Sequence, residues 1–207
     1  MRIAILFAGF APRCWKYTHA AARANLILPL REAGHTVDVY LYSFVSKSTT
    51  LATVGRGDDL SVQMDMGDVN LLAEAVVKTD FQEHFDSQHP RIDFLVKAYG
   101  KTTALNYYRA VFQDCRAFEL IRKKDYDVCV SSYVSNLYLN KINLQEIEEA
   151  SKNKRLVFTP RINRCWGTMD GYYVASRAAC RKLASRYGKL RQHAVKAKRH
   201  LTRKRSV

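Results

Sequence analysis

The chain has 207 residues, 34 Lys+Arg against 19 Asp+Glu for a formal net charge of +15, and 47% hydrophobic residues. That suits one globular domain of ordinary size and is too apolar for a disordered chain. No uninterrupted apolar run reaches the roughly 18–20 residues needed to cross a bilayer.

The charge is unevenly placed. Residues 177–207 hold 12 basic groups and no acid, which leaves 22 of the 34 for residues 1–176, against all 19 acids. The body is close to neutral and the field belongs to one C-terminal segment, so a nucleic-acid partner for the whole protein does not follow from its charge. Five cysteines (Cys14, Cys115, Cys129, Cys165 and Cys180) form no CxxC pair. This is neither a zinc signature nor a secreted disulfide framework, and reduced thiols in a cytoplasmic setting are expected. The run Ile3–Ala11 is short for a signal segment and reads as a buried first strand.

In chain order, Ile3–Ala8 is a continuous apolar run ended by Gly9, the pattern of a strand covered on both faces. A turn containing Pro12 follows, then a helix from about Thr18 to Ala33, with Pro29 as its weak point and Gly34 as its stop. Thr36–Tyr42 alternates and is a second strand, so the opening is a βαβ unit implying a parallel sheet. Val69–Val77 reads as a short helix. A long helix is expected from Thr102 or Thr103 to Lys124, on the three- and four-residue steps of Leu105, Tyr108, Phe112, Cys115 and Phe118.

Tyr126–Val130 is the next strand, with Ser131-Ser132 opening the turn beyond it. Asn143-Leu144-Gln145-Glu146 has the form of a capping box for a helix to about Lys152. Arg155–Thr159 is a strand stopped by Pro160, Cys165-Trp166-Gly167 a loop, and Tyr172–Val174 a short extended piece. The expected fold class is α/β, a mostly parallel central sheet flanked by helices, over residues 1–181. Residues 182–207 form a basic C-terminal helix or tail. In it Leu183, Tyr187, Leu190, Ala194, Ala197 and Leu201 would make one apolar seam.

Open α/β sheets bind ligands beyond the carboxyl ends of their strands. The candidate places are therefore Gly9 to Arg13, Ser43, and Ser131 to Asn136. Gly9 would allow close backbone approach and Arg13 offers a planar donor fork; a tight turn with a solvated charge is the plainer alternative. Neither GxGxxG nor GxxxxGK[ST] occurs.

Three segments resemble small GT-A-type glycosyltransferases of the kind found in large DNA viruses and bacterial polysaccharide pathways. They are Ile3–Gly9 with Arg13; Tyr108, Cys115 and Ile121 followed by Tyr126–Val130; and Gly167–Ser176. The resemblance implies a GT-A-like fold and a nucleotide-sugar donor, UDP-hexose favoured, with its base near Gly9 and Arg13. It implies a diphosphate near Ser131, Ser132, Tyr133, Ser135 and Asn136, and a glycan or glycoconjugate acceptor.

The family's acidic motif, which would hold manganese or magnesium on the diphosphate, is replaced by Ser131–Asn136 without a carboxylate. The divalent ion then depends on Asp170, Asp58, Asp59, Asp65 or Asp68, or gives way to cations such as Arg13 and Arg161, or the enzyme is degenerate. Asp170, between Gly167 and Gly171, is the candidate catalytic base, with a turn-capping role as the alternative. Trp166, Gly167, Tyr172 and Arg161 are candidate substrate contacts, the aromatics by stacking on apolar sugar faces or else as core. The basic tail would suit an anionic membrane surface, with the protein peripheral on it. The rival reading is a non-enzymatic nucleic-acid or membrane-surface binder on a Rossmann-like core.

Overall fold

The computed structural model describes residues 1–48, 50–52, 61–88, 101–160 and 171–190. The strands are β1 (Arg2–Gly9), β2 (Thr36–Val45), β3 (Thr50–Ala52), β4 (Ser61–Gln63), β5 (Ala75–Phe81), β6 (Val128–Tyr133), β7 (Val157–Phe158) and β8 (Tyr172–Ser176). The helices are α1 (Ala11–Ala22), α2 (Leu28–Glu32), α3 (Gln82–Gln88), α4 (Lys101–Glu119), α5 (Leu144–Lys152) and α6 (Arg177–Ala184), and residues 186–190 are again helical. Six strands form one sheet in the order β5-β2-β1-β6-β8-β7, and β3 pairs with β4 alone. The first four of the six are parallel. β8 runs against β6, and β7 against β8. The chain is thus a mixed α/β protein with a mostly parallel sheet. Among the described residues no helix is long and apolar enough to cross a membrane.

β1 pairs with β2 and β6 along its two edges, and helix layers cover both its faces, as its unbroken apolar run requires. Ile3, Ile5 and Phe7 face the layer that contains Trp15, Leu26, Leu30 and Ile147 of α1, α2, α5 and the turn between the first two. Ala4, Leu6 and Ala8 face the other layer, with Phe118, Cys180 and Ala184 of α4 and α6. The small side chains of β1 on that second face leave room for Tyr40, Tyr42 and Phe44 from β2, all buried.

The first helix starts earlier than its sequence pattern indicates. Pro12 sits in the first turn, where no backbone N–H is needed. The N–H of Ala11 is capped from another strand: it donates to Ser43 Oγ at 3.0 Å. The expected weak point at Pro29 becomes a π-helical turn over Arg23–Ile27. Pro29 has no N–H to give the Asn25 carbonyl, and the N–H of Ile142 donates to that carbonyl instead, at 2.8 Å. Asn25 Nδ2 in turn donates to the Tyr138 carbonyl at 2.8 Å, so the 134–143 loop is stitched along the helix. Gly34, at φ +80, ends α2 as expected, with the N–H of His35 donating to the Leu30 carbonyl.

The expected helix over Val69–Val77 is a 3-10 turn (Met66–Asn70) followed by β5. Asp65 caps that turn by accepting from the Gly67 N–H at 2.7 Å. The β-branched Val76, Val77 and Thr79 then pair with β2 at the sheet edge, and this tertiary pairing overrides a weak helical period. β6 also runs further than expected, so Ser131 and Ser132 are strand residues and not a turn. Asn143 caps α5 as its spacing indicates, accepting from the Gln145 N–H at 3.0 Å. The strand expected over Arg155–Thr159 shrinks to two residues, and Tyr172–Val174 lies inside the sheet as part of β8.

The tail segment begins inside the domain. Leu190 is buried, and the Tyr187 ring lies 5.3 Å from Tyr108 and 5.1 Å from Phe112. Arg186 forms a 3.0 Å ion pair with Asp114, whose side chain is 1% exposed. Ala194, Ala197 and Leu201 of the expected seam lie outside the described residues.

Candidate functional site

From β1 the chain moves outward to β2 and β5, then returns to the other side of β1 as β6. The strand order therefore reverses between β1 and β6, the topological switch point beyond whose carboxyl edge α/β sheets place ligands, although both connections here pass into the α1/α5 layer. Four parts meet there: Gly9 and Phe10, the first turn of α1, residues 134–136, and Gly171.

Gly9 has φ +140, and a Cβ built on it would lie 2.7 Å from Val134 Cγ2. Its glycine is accounted for by the close crossing of two chain segments. The Val134 N–H donates to the Ala8 carbonyl at 3.0 Å, and Gln113 Nε2 of α4 donates to the Gly9 carbonyl at 3.0 Å. Arg13 is exposed in the first turn of α1. Beside it, burial pushes the Cys14 thiol up, with Arg13 opposing. Ser43 is fully buried: besides capping Ala11 it donates to the Phe44 carbonyl at 2.7 Å. Its hydroxyl is structural and faces no rim.

The residues from Ser131 to Asn136 do not converge on one ligand. Alternation along β6 sends Ser131 and Tyr133 toward the α4/α6 layer and Ser132 toward the α1/α5 layer. Ser131 lies opposite Tyr173 of β8. Ser132 is fully buried and accepts from Asn136 Nδ2, at 3.0 Å, and from the Tyr138 hydroxyl. Asn136 Nδ2 also donates to the Gly171 carbonyl at 2.6 Å, and the Tyr133 N–H donates to the same oxygen at 2.9 Å. Ser135 is exposed. Thr18 of α1 ties the loop down by donating to the Val134 carbonyl at 2.5 Å.

The Tyr172 ring meets Tyr138 edge-on at 6.0 Å, and burial pushes its hydroxyl well above the usual tyrosine range. Asp170, Trp166, Gly167, Arg161, Asp58 and Asp59 lie outside the described residues. Of the other acids considered for a metal, Asp65 caps the 3-10 turn and Asp68 is buried beside α1. Burial, then the Asp65 charge, push the Asp68 carboxyl up, with Lys16 and His19 opposing. Among the described residues no group of three or more His, Cys, Asp or Glu could hold a metal ion. The four described cysteines are free thiols.

Sequence reasoning missed Gln113, Thr18, Asn25 and Tyr138, which fix the two sides of the switch point. Nothing local marks these ties, because Gln113–Gly9, Thr18–Val134 and Asn25–Tyr138 each join positions more than 100 residues apart in the chain. The chemistry left open at the rim is the Arg13 guanidinium and the Ser135 hydroxyl; the start of α1 adds none, because the Ala11 N–H is held by Ser43, Pro12 has no N–H and the Arg13 N–H donates to the Phe10 carbonyl. No protein-family model matches the chain, and no curated protein matches it.

Proposed function

We propose that the chain is a GT-A-like glycosyltransferase that moves a monosaccharide from a nucleoside-diphosphate sugar, UDP-hexose favoured, to a glycan or glycoconjugate acceptor. The observation that carries this reading is the switch point between β1 and β6, with Arg13 exposed beside it. The donor lies along the open rim, with Arg13 and Ser135 in reach of its phosphates. Gly9, Ser43 and Ser132 serve as frame. Gly171, the residue after Asp170, is gripped through its carbonyl by Tyr133 and Asn136 at the end of β6, which supports a role for that loop in the reaction.

In the transfer, the bond from the anomeric carbon to the diphosphate oxygen breaks and a bond to the acceptor oxygen forms. The nucleoside diphosphate leaves with the electron pair, and the acceptor hydroxyl proton goes to a carboxylate, for which Asp170 is the candidate. No step in this reading depends on a metal, and among the described residues no group of three or more His, Cys, Asp or Glu could hold one. Calorimetric titration of UDP and a panel of nucleotide sugars, with and without manganese, tests the reading. Arg13→Gln should weaken donor binding about tenfold and leave the melting temperature unchanged. No binding and no transfer with any donor would end it.

A further inference from the structure

At the edge of the sheet opposite the switch point, α4 is followed by a turn through Arg122, Lys123 and Lys124, all exposed. α6 begins beside this turn: Arg177 Nη2 donates to the Arg122 carbonyl at 2.7 Å. One turn along, Arg181 and Lys182 are exposed, and so is Lys189 beyond them. The opposite side of this segment is core, with Ala179, Cys180, Ala184 and Leu190 buried. The cations are sorted. Arg186 turns inward to Asp114, and Lys124 Nζ is held by the Tyr40 hydroxyl at 2.8 Å, while Arg122, Lys123, Arg181, Lys182 and Lys189 stay in solvent.

The neighbouring acids are partly engaged. Glu119 pairs with Arg116 at 2.6 Å and Asp127 accepts the Arg2 N–H at 2.8 Å, which leaves Asp125 exposed near the turn. Two helical pieces carry the stripe, Arg177–Ala184 and residues 186–190, with a turn at Ser185 between them. The stripe then runs in sequence into residues 191–207, which carry seven more basic groups and no acid.

We propose that this stripe is a sequence-independent binding surface for the phosphate backbone of nucleic acid. Duplex DNA carries a charge about every 1.7 Å of its axis, so exposed cations such as Arg122, Lys123, Arg181, Lys182 and Lys189 can meet several phosphates. A lipid surface fits less well, because interfacial helices need apolar side chains to insert. The exposed large apolar side chains among the described residues, such as Tyr17, Val76, Phe81, Leu137 and Leu139, sit on α1, on β5 and in the loop after β6. The proposal does not rest on the donor reading, since Arg122 and Lys123 lie in the turn beside the start of α6, away from Arg13 and Ser135.

The test is fluorescence anisotropy of a labelled short duplex with the full chain, between about 50 and 200 mM salt. One variant combines R122Q, K123Q, R181Q and K182Q; a second replaces the seven basic residues beyond Leu190 with Gln. Circular dichroism checks that both fold. The first variant should lower the slope of log K against log salt by about 3–4, at roughly 0.9 per lost phosphate contact, with the tail unchanged. A wild-type slope in that variant would overturn the proposal and assign the binding to the tail alone. Failure of the wild type to bind the duplex at low salt would overturn it too. So would binding confined to phosphatidylglycerol vesicles.

Discussion

Replacing Gly9 with Ala separates two accounts of that residue. The backbone there has φ +140, and the new Cβ would meet Val134 Cγ2 at 2.7 Å. Holding a non-glycine residue in such a conformation costs about 1–3 kcal/mol. Forcing a methyl into a filled space costs about 1–3 kcal/mol more. Val134 cannot move aside cheaply, because it is 2% exposed and its N–H is bonded to the Ala8 carbonyl. Gly9→Ala should therefore lose about 2–6 kcal/mol in urea unfolding, a large part of a total stability of about 5–15 kcal/mol.

Val134→Ala alone removes two carbon groups at about 0.8 kcal/mol each and leaves a small cavity, about 2 kcal/mol in all. The double variant keeps the backbone strain but loses the clash, so its cost should fall short of the sum by about 1–3 kcal/mol. Strict additivity, or a Gly9→Ala protein of wild-type stability, would refute the packing argument. A stable Gly9→Ala protein that no longer binds UDP would instead give the glycine a role in ligand approach.

Ser43→Ala removes the cap on Ala11 inside a fully buried site and should cost about 1–2 kcal/mol by chemical denaturation; no loss would mean that water reaches that N–H. Asp114→Ala leaves Arg186 without its ion-pair partner. Because the Arg186 side chain is one quarter exposed, the cost should sit near the lower end of the range for broken buried pairs, about 3 kcal/mol, and an Asp114→Ala/Arg186→Met double variant should recover part of it. Asp68 gives a pH dependence. Its carboxyl is pushed up by burial and by Asp65, so the folded state holds that proton more tightly than the unfolded chain does. Stability from this group is present below the ordinary carboxylate value of about 3.9 and is lost as pH rises through the raised one. Asp68→Asn should therefore melt higher than wild type at neutral pH and show a flatter profile across that window; a lower neutral melting temperature would contradict the buried, charged carboxylate.

The lessons divide by the range of the interactions. The buried first strand, the glycine stop at Gly34, the Asn143 cap and most of the long helix were legible because each depends on residues within a few positions. Apolar periodicity and capping chemistry act locally, so they can be read along the chain. The start of α1, the identity of β5 and the reversed β8 were not legible, since Ser43, the edge of β2 and the flank of β6 supply what those segments need.

The candidate site follows the same division. The places beyond β1 and β6 could be named from the strand pattern, but the face each side chain takes could not. Extending β6 to Tyr133 turned Ser131 and Ser132 into opposite layers, and the crossing of Val134 over Gly9 closed a space that the glycine alone suggests is open. The charge shows the division most plainly. Composition by itself established that the C-terminal segment is basic. Only packing decided that Arg186 turns into the domain to meet Asp114 while Arg181, Lys182 and Lys189 face water, because a charge can enter a core only where another part of the chain brings its partner.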